Sequence, residues 1–381
     1  MNRIRVLVVD DSAVVRRIVT EVLAAEPLIE VVGTASNGQL ALGRLAELEP
    51  DLVTMDVEMP VMDGIEAVRA IRRTRARLPI IMFSTLTERG ARATLEALSA
   101  GASDYVTKPS NTGSLANSIA DVRAQLVPRI LALTGRSRHA AVAVPVQADR
   151  RPASEAPGRA AAPRRVEPAP AAPWRPPVRT SSGARAPEVL VVGASTGGPE
   201  ALVTVLSSLP RDYPLPVLVV QHMPPVFTQQ LAQRLDRLCA LSVVEAVGGE
   251  AVVPGTVVIA RGDHHLSVVR SGTGVRTVID QAPPENWCRP AVDVLFRTAA
   301  TAYRGAVLGA VLTGMGHDGR AGAEQIRSQG GTVVVQDEPT SVVWGMPGSV
   351  VAVGAADEVL PIGEIGAALV RRTAAVHGAA R

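Results

Sequence analysis

Two sets of residues in this chain have the types and spacing to do chemistry. In the first, short apolar runs end on charged or hydroxyl groups. Asp10 and Asp11 close IRVLVV, Asp56 closes DLVTM, Ser84 closes LPIIMF and Lys108 follows SDYVT. Three carboxylates gathered in one place make a hard oxygen site suited to Mg²⁺, which binds through few carboxylates and keeps several waters. Such a cation, with the Lys108 ammonium and the Ser84 hydroxyl, would offset the repulsion felt by an incoming phosphoryl group. Acidic residues at strand ends also cap helices, and Asp11 ahead of SAVV is a candidate for that role instead.

The second set begins at VLVVGASTGGPEAL, where Gly193, Ser195 and Gly197 match G-x-S-x-G. In that motif a tight turn between strand and helix exposes the serine hydroxyl. A dinucleotide-binding loop is the rival, but its middle glycine is Ser195 here and its third glycine is missing. A serine nucleophile needs a base. His139 lies in a Pro-rich stretch, His377 near the C-terminus, and His264 and His265 at the start of a hairpin pattern. His222 follows the strand-like VLVVQ directly, and His317 sits in LTGMGHDGRAG. His222 is the better base, because Asp318 can then orient it from a third strand end. The triad Ser195, His222, Asp318 departs from the Ser…Asp…His order of α/β-hydrolases, but order does not decide geometry. Backbone N–H groups at Thr196 and Met315 are the natural oxyanion donors. No Cys/His/carboxylate cluster with metal-ligand spacing is visible in this segment, so hydrolysis calls for no metal.

Both sets depend on strand ends meeting at one edge. IRVLVVD, IEVVGTA, DLVTMD, LPIIMFS and SDYVTK predict five strands, separated by helical patterns such as AVVRRIVTEVL and ATLEALSAG. That alternation predicts a doubly wound parallel sheet over residues 1–130, with ligands at the carboxyl ends of its strands. EVLVVGAS, PVLVVQH, GTVVIA, AVLGAVLTG and GTVVVQD, alternating with four helical patterns, predict a second α/β domain over 188–375. HLSVVRSGTGVRTVID reads there as a β-hairpin. Between them, RRPASEAPGRAAAPRRVEPAPAAPWRPPVR predicts a disordered linker over 131–187.

Composition narrows the function classes. The chain has 381 residues, 47% hydrophobic and 2% aromatic, so its cores are built from aliphatic side chains, and stacking platforms for single strands are excluded. The net charge is +3, but residues 136–187 hold ten Arg against three Asp or Glu, so the remainder is 3 − 7 = −4. The basic character belongs to the linker, which argues against nucleic acid as a partner. No apolar stretch reaches a membrane span, the N-terminus does not read as a signal peptide, and Cys239 and Cys288 imply no disulfide framework. A cytoplasmic location is expected.

VVDDS, MDVEMPVMDG, FS and YVTKP, in that order and spacing, resemble the receiver domain of two-component response regulators. The resemblance implies a flavodoxin-like fold, Asp56 as phospho-acceptor, and Mg²⁺ held by Asp11, Asp56 and the Glu58 carbonyl with Asp10 nearby. It also implies Ser84 and Tyr105 as a switch pair, with Lys108 beside the acceptor. GASTGGPEAL, QHMPPVFTQQLAQRL, CRPAVDVLF and LTGMGHDG resemble the catalytic domain of the chemotaxis protein-glutamate methylesterases, the CheB family. That resemblance implies hydrolysis of γ-glutamyl methyl esters on methyl-accepting chemotaxis receptors, with deamidation of receptor glutamines, and a chemotaxis histidine kinase as phosphodonor. Ala291 departs from the family's usual Ser after Arg-Pro, and His317 stands where the family varies. A transcription factor would need a basic helix-turn-helix output, which is absent. A silent scaffold binding receptor and kinase remains the alternative that an ester-release assay separates.

Overall fold

The computed structural model describes residues 3–108, 115–135 and 186–377; the expected linker lies, over 136–185, outside the described residues. In the N-terminal part, β1 (Ile4–Val9), α1 (Ala13–Ala24), β2 (Ile29–Ala35), α2 (Gly38–Leu48) and β3 (Leu52–Asp56) alternate. They continue into α3 (Gly64–Thr74), β4 (Ile80–Ser84), α4 (Glu88–Ser99), β5 (Asp104–Thr107) and α5 (Leu115–Leu133), the last running past the expected boundary at 130. The strands form one sheet, order β2-β1-β3-β4-β5, and every pairing is parallel. β3 and β4 are buried at every residue, as helices on both faces require, so they read as unbroken apolar runs rather than alternations. Ser12, not Asp11, caps α1, accepting from Val15 N at 3.4 Å. Asp11 is thereby left free and exposed beside the acidic cluster.

The C-terminal part contains β6 (Val189–Ala194), α6 (Gly198–Ser207), β7 (Val217–Gln221), α7 (Phe227–Leu238), β8 (Ser242–Glu245) and β9 (Thr256–Ile259). The hairpin β10 (His265–Ser271) and β11 (Gly274–Asp280) pairs in antiparallel register apart from the main sheet. Then follow α8 (Val292–Ala302), β12 (Val307–Val311), α9 (Arg320–Ser328), β13 (Thr332–Gln336), α10 (Gly345–Ala352), β14 (Glu358–Leu360) and α11 (Ile362–His377). Seven parallel strands run in the order β14-β13-β12-β6-β7-β9-β8. β8 and β14 went unanticipated, as did α10, whose Gly-Met-Pro-Gly start reads as a loop.

The order places the site. The chain enters at β6, moves to β7 on one side, and returns through β12 on the other. The crevice at the carboxyl ends of β6, β7 and β12 is therefore the switch point where an open α/β sheet holds its ligand. The two sheets are not separate bodies in this structure: α4 packs against α6 and α7, and one apolar cluster takes in Leu98 and Tyr105 from one side and Leu202 and Phe227 from the other.

Candidate active site

Ser195 follows β6, His222 follows β7, and Asp318 follows β12 by seven residues. Gly193 pairs with Val220 and Ala194 with Gln221, while His222 N donates to Ala194 O at 3.1 Å, so the register itself brings residues 195 and 222 side by side. The serine turn is fixed at both ends: Ser195 N donates to Thr313 O at 3.0 Å, and Ser195 O accepts from Gly198 N at 2.7 Å and Gln221 Nε2 at 2.9 Å. Gly197 opens α6 at φ +75°, a left-handed conformation that a residue with a Cβ adopts only under strain. Across the crevice the Met315 turn comes so close that a Cβ on Gly314 would lie 2.9 Å from Ser195 Cβ. The backbone N–H groups of Thr196 and Met315, on these two facing turns, carry no hydrogen bond among the described residues.

His222 and Asp318 are joined: Nε2 to Oδ2 is 2.8 Å, with both side chains largely buried. Asp318 sits at the N-terminus of α8, where Oδ2 accepts from Val292 N at 2.6 Å and Oδ1 from Asp293 N at 3.0 Å. Ala291, the N-cap, has no capping side chain, so the Asp318 carboxylate supplies that function from another strand. Burial pulls the imidazole down, but the hydrogen bonds and charges of Asp318 and Cys288 outweigh it and push His222 up to about 10. Burial alone would raise the Asp318 carboxyl, yet His222 and the α8 amides hold it at about 2. With Nε2 committed to Asp318, Nδ1 is the nitrogen left for proton transfer. Nδ1 does not reach Ser195 within hydrogen-bonding distance; it faces Cys288 Sγ at 3.5 Å.

The acidic cluster assembles as expected from β1 and β3. Ligand oxygens of Asp10, Asp11 and Asp56 all lie within 4.8 Å of one another, and Asp10 and Asp56 are buried. Lys108 Nζ bridges Asp10 Oδ2 at 3.0 Å and Asp56 Oδ2 at 2.7 Å. Burial, and then the neighbouring Asp10 charge, push Asp56 up to about 6 even against Lys108. An all-oxygen donor set whose charges repel, restrained by one ammonium, fits a hard divalent cation such as Mg²⁺. Ser84 closes β4 next to it, but its hydroxyl donates to Gly90 O at 3.1 Å, toward α4. The Glu58 side chain pairs with Arg89 at 2.9 Å on the surface, away from the cluster.

Comparison with known proteins places both halves of the chain in known families. A family model described as CheB methylesterase matches residues 190–369, and one described as response regulator receiver domain matches residues 6–120. A protein of Nocardioides sp. named protein-glutamate methylesterase/protein-glutamine glutaminase is 55% identical over 380 residues, covering 98% of this chain and 96% of its own. A protein of that name from Trichodesmium erythraeum is 45% identical, covering 98% and 99%. The chain belongs to the CheB methylesterase family. Among solved structures, the catalytic domain of Thermotoga maritima CheB methylesterase is 44% identical, covering 49% of this chain and 99% of its own, with TM-score 0.48. The response regulator domain of Thermotoga maritima CheB is 43% identical, covering 34% and 94%, with TM-score 0.31.

In this CheB-family chain the receiver's Tyr105 ring stacks on Phe227, the first residue of α7, at 4.8 Å and 6° between planes. Its neighbour Asp104 accepts from Thr196 Oγ1 at 2.7 Å, so a receiver side chain grips the turn that follows Ser195. Ser99 Oγ donates to Glu200 Oε1 at 3.3 Å. These contacts escaped sequence reasoning, as did Asn286 and Cys288. Glu285 and Cys288 exchange both backbone hydrogen bonds across a two-residue turn in which Asn286 and Trp287 both have positive φ, 51° and 65°. That turn aims Asn286 Nδ2 at Asp318 Oδ1, 2.9 Å away, and Cys288 at His222. No spacing in the sequence marks a cluster in the esterase segment, but in space His222, Cys288 and Asp318 converge within 4.8 Å from three separate segments. Cys288 and Arg289 open the CRPAVDVLF motif, the one sequence signal that pointed here, and Asn286 lies two residues before it. His265 is structural, its Nε2 on Pro283 O at 3.1 Å and its Nδ1 accepting from Ala291 N at 3.2 Å. His317 is exposed, and among the described residues no helix is long and apolar enough to cross a membrane.

Proposed function

We propose that this chain hydrolyses glutamate methyl esters on methyl-accepting chemotaxis receptors, and deamidates receptor glutamines, under control of phosphorylation at Asp56. The observation that carries the reading is the His222–Asp318 pair at the switch-point edge beside the Ser195 turn. Ser195 Oγ attacks the ester carbonyl and passes its proton to His222 Nδ1. The N–H groups of Thr196 and Met315 receive the developing oxyanion. The imidazolium, held by Asp318, returns the proton to the methoxide oxygen, and methanol leaves. Water repeats the sequence on the acyl-enzyme and releases glutamate. Amide in place of ester releases ammonia by the same steps.

The receiver keeps this machinery closed. With Asp104 on Thr196 and Tyr105 on Phe227, the receiver stands against the turn that follows Ser195 and obstructs a methylated receptor helix, while Nδ1 faces Cys288. Asp10, Asp11, Asp56 and the Glu58 carbonyl would hold Mg²⁺, which supplies charge neutralisation for the incoming phosphoryl group. Lys108 holds the Asp56 carboxylate in place, and Ser84 and Tyr105 report the change to α4 and to the interface. The phosphodonor is a chemotaxis histidine kinase. The test is methanol release from methylated receptor membranes with and without a small phosphodonor. Release stimulated by the phosphodonor is expected. No release from a folded, phosphorylated chain would instead mark it as a scaffold.

A further inference from the structure

We infer that His222 Nδ1 and Cys288 Sγ form a binding site for a thiophilic divalent cation, Zn²⁺ in chemical class, whose occupancy removes the catalytic base. Three independent features of the geometry carry this. The first is the span. A tetrahedral zinc with Zn–N of about 2.05 Å, Zn–S of about 2.3 Å and an angle of about 109° holds its N and S ligands about 3.5 Å apart. The observed separation is 3.5 Å.

The second is the outer shell. A metal-bound histidine characteristically donates its other ring N–H to a carboxylate, which fixes the tautomer and raises the basicity of the ligating nitrogen. Asp318 does this to Nε2 at 2.8 Å, and is itself anchored by Val292 N, Asp293 N and Asn286 Nδ2. The third is room. His222, Cys288 and Arg289 line a cavity of about 550 Å³ between the receiver and the esterase, so the remaining coordination positions open on space large enough for water. The site needs no oxidant: the cation takes the place of the thiol proton and of the proton on His222 Nδ1, and both leave to solvent.

The donor set separates this site from the acidic cluster. Nitrogen and sulfur select zinc-like ions, whereas Asp10, Asp11 and Asp56 offer oxygen alone. Cys239 provides the internal control. Its thiol is half-buried near Asp236, and it shares no wall with the catalytic crevice. Binding stands on geometry alone, while the inhibitory consequence rests on His222 being the base as proposed above.

The experiment separates the two claims. Full-length protein is titrated with Co²⁺ and read by the thiolate-to-cobalt charge-transfer absorption, which oxygen ligands cannot give. Wild type and Cys239→Ser should show the band, and Cys288→Ala and Cys288→Ser should not; the serine variant keeps the side-chain volume in case alanine disturbs the turn. In parallel, methyl ester hydrolysis is titrated with free Zn²⁺, each variant being scaled to its own metal-free rate. Loss of an outer-shell partner alone costs about 10–100-fold in metal affinity, so loss of a ligand should raise the half-inhibitory Zn²⁺ concentration at least about tenfold. An absent band in wild type, or an undiminished band in both Cys288 variants, overturns the site. A cobalt band without zinc inhibition keeps the site and counts against His222 as the base.

Discussion

Asp104→Ala should release the esterase without any phosphodonor. Asp104 accepts the Thr196 hydroxyl at 2.7 Å, the shortest side-chain hydrogen bond between receiver and esterase among the described residues. A hydrogen bond to a charged partner contributes about 1.5–3 kcal/mol, and 1.4 kcal/mol is a factor of ten. Losing about 2 kcal/mol from the closed state therefore raises the open fraction about 30-fold, until the open form dominates. The Tyr105–Phe227 stack, worth about 0.5–1.5 kcal/mol beyond its buried area, remains in the variant, so release is partial. The assay is basal methanol release from receptor membranes divided by the phosphodonor-stimulated rate of the same variant, a ratio from which changes in intrinsic turnover cancel. Asp104 also binds Tyr105 N and Arg129, so phosphorylation of Asp56 is measured alongside to show the receiver intact. Thr196→Val, cutting the same bond from the other side, should raise the ratio equally, and the double variant should gain little more. A ratio within twofold of wild type for Asp104→Ala, or full additivity in the double variant, would refute the reasoning.

Ser195→Ala should lower hydrolysis by on the order of 10⁶, measured as methanol release by pure protein. Because the base must be neutral, activity should rise with pH through the raised His222 pKa, and Asp318→Asn, which removes the carboxylate bonded to Nε2, should shift that inflection toward about 6.5 while lowering the rate about 10⁴-fold. Asp56→Asn should leave basal activity low and abolish phosphodonor stimulation, and EDTA should block phosphorylation, read by mass, without slowing hydrolysis by a chain beginning near Glu188. Trp287→Gly should raise stability by about 1 kcal/mol, seen as a higher Tm, since Trp287 is fully exposed and held at φ 65° where a non-glycine residue is strained.

Strand ends were legible because each central strand is buried on both faces, so its apolar run stops where a polar residue begins. Asp10, Asp56, Ser195 and His222 were proposed that way, and both sheets have the parallel strands that alternation implied. What stayed hidden has no local signature. Cys288 lies 66 residues from His222 in the chain, and no spacing rule joins them. Which imidazole nitrogen faces the substrate depends on where Asp318 arrives, a tertiary fact. The receiver resemblance marked Tyr105 as a switch residue, but its stacking on Phe227 stayed hidden, because burial between domains and burial within one leave the same pattern in sequence. The Asn286–Trp287 turn was missed because Trp is the last residue expected where φ must be positive.

The route from Asp56 to the esterase can be followed atom by atom through two neighbouring elements. The β4 residue Ser84 stands one position beyond Phe83, the partner of Asp56 in the sheet. Its hydroxyl donates to Gly90 O in the first turn of α4, and Thr94 Oγ1 donates to the same carbonyl at 2.7 Å. A phosphoryl group on Asp56 offers Ser84 a charged acceptor, and a hydrogen bond to a charge outweighs one to a carbonyl. On the proposed reading Ser84 would then leave Gly90, and the start of α4, the helix that packs against α6 and α7, would lose a tie. Across the sheet, Thr107 pairs with Ser84 and Tyr105 with Met82, so the shift at Ser84 reaches β5, whose Asp104 and Tyr105 hold Thr196 and Phe227. Both receiver elements that touch the esterase thus adjoin Ser84: α4 through Gly90, and β5 through Thr107, two residues from Tyr105 and three from Asp104. Exchanging an ordinary hydrogen bond for a charge-assisted one at Ser84 is worth about 1–2 kcal/mol, comparable to the single Asp104–Thr196 bond, and on the proposed reading this match lets one phosphoryl group open the site.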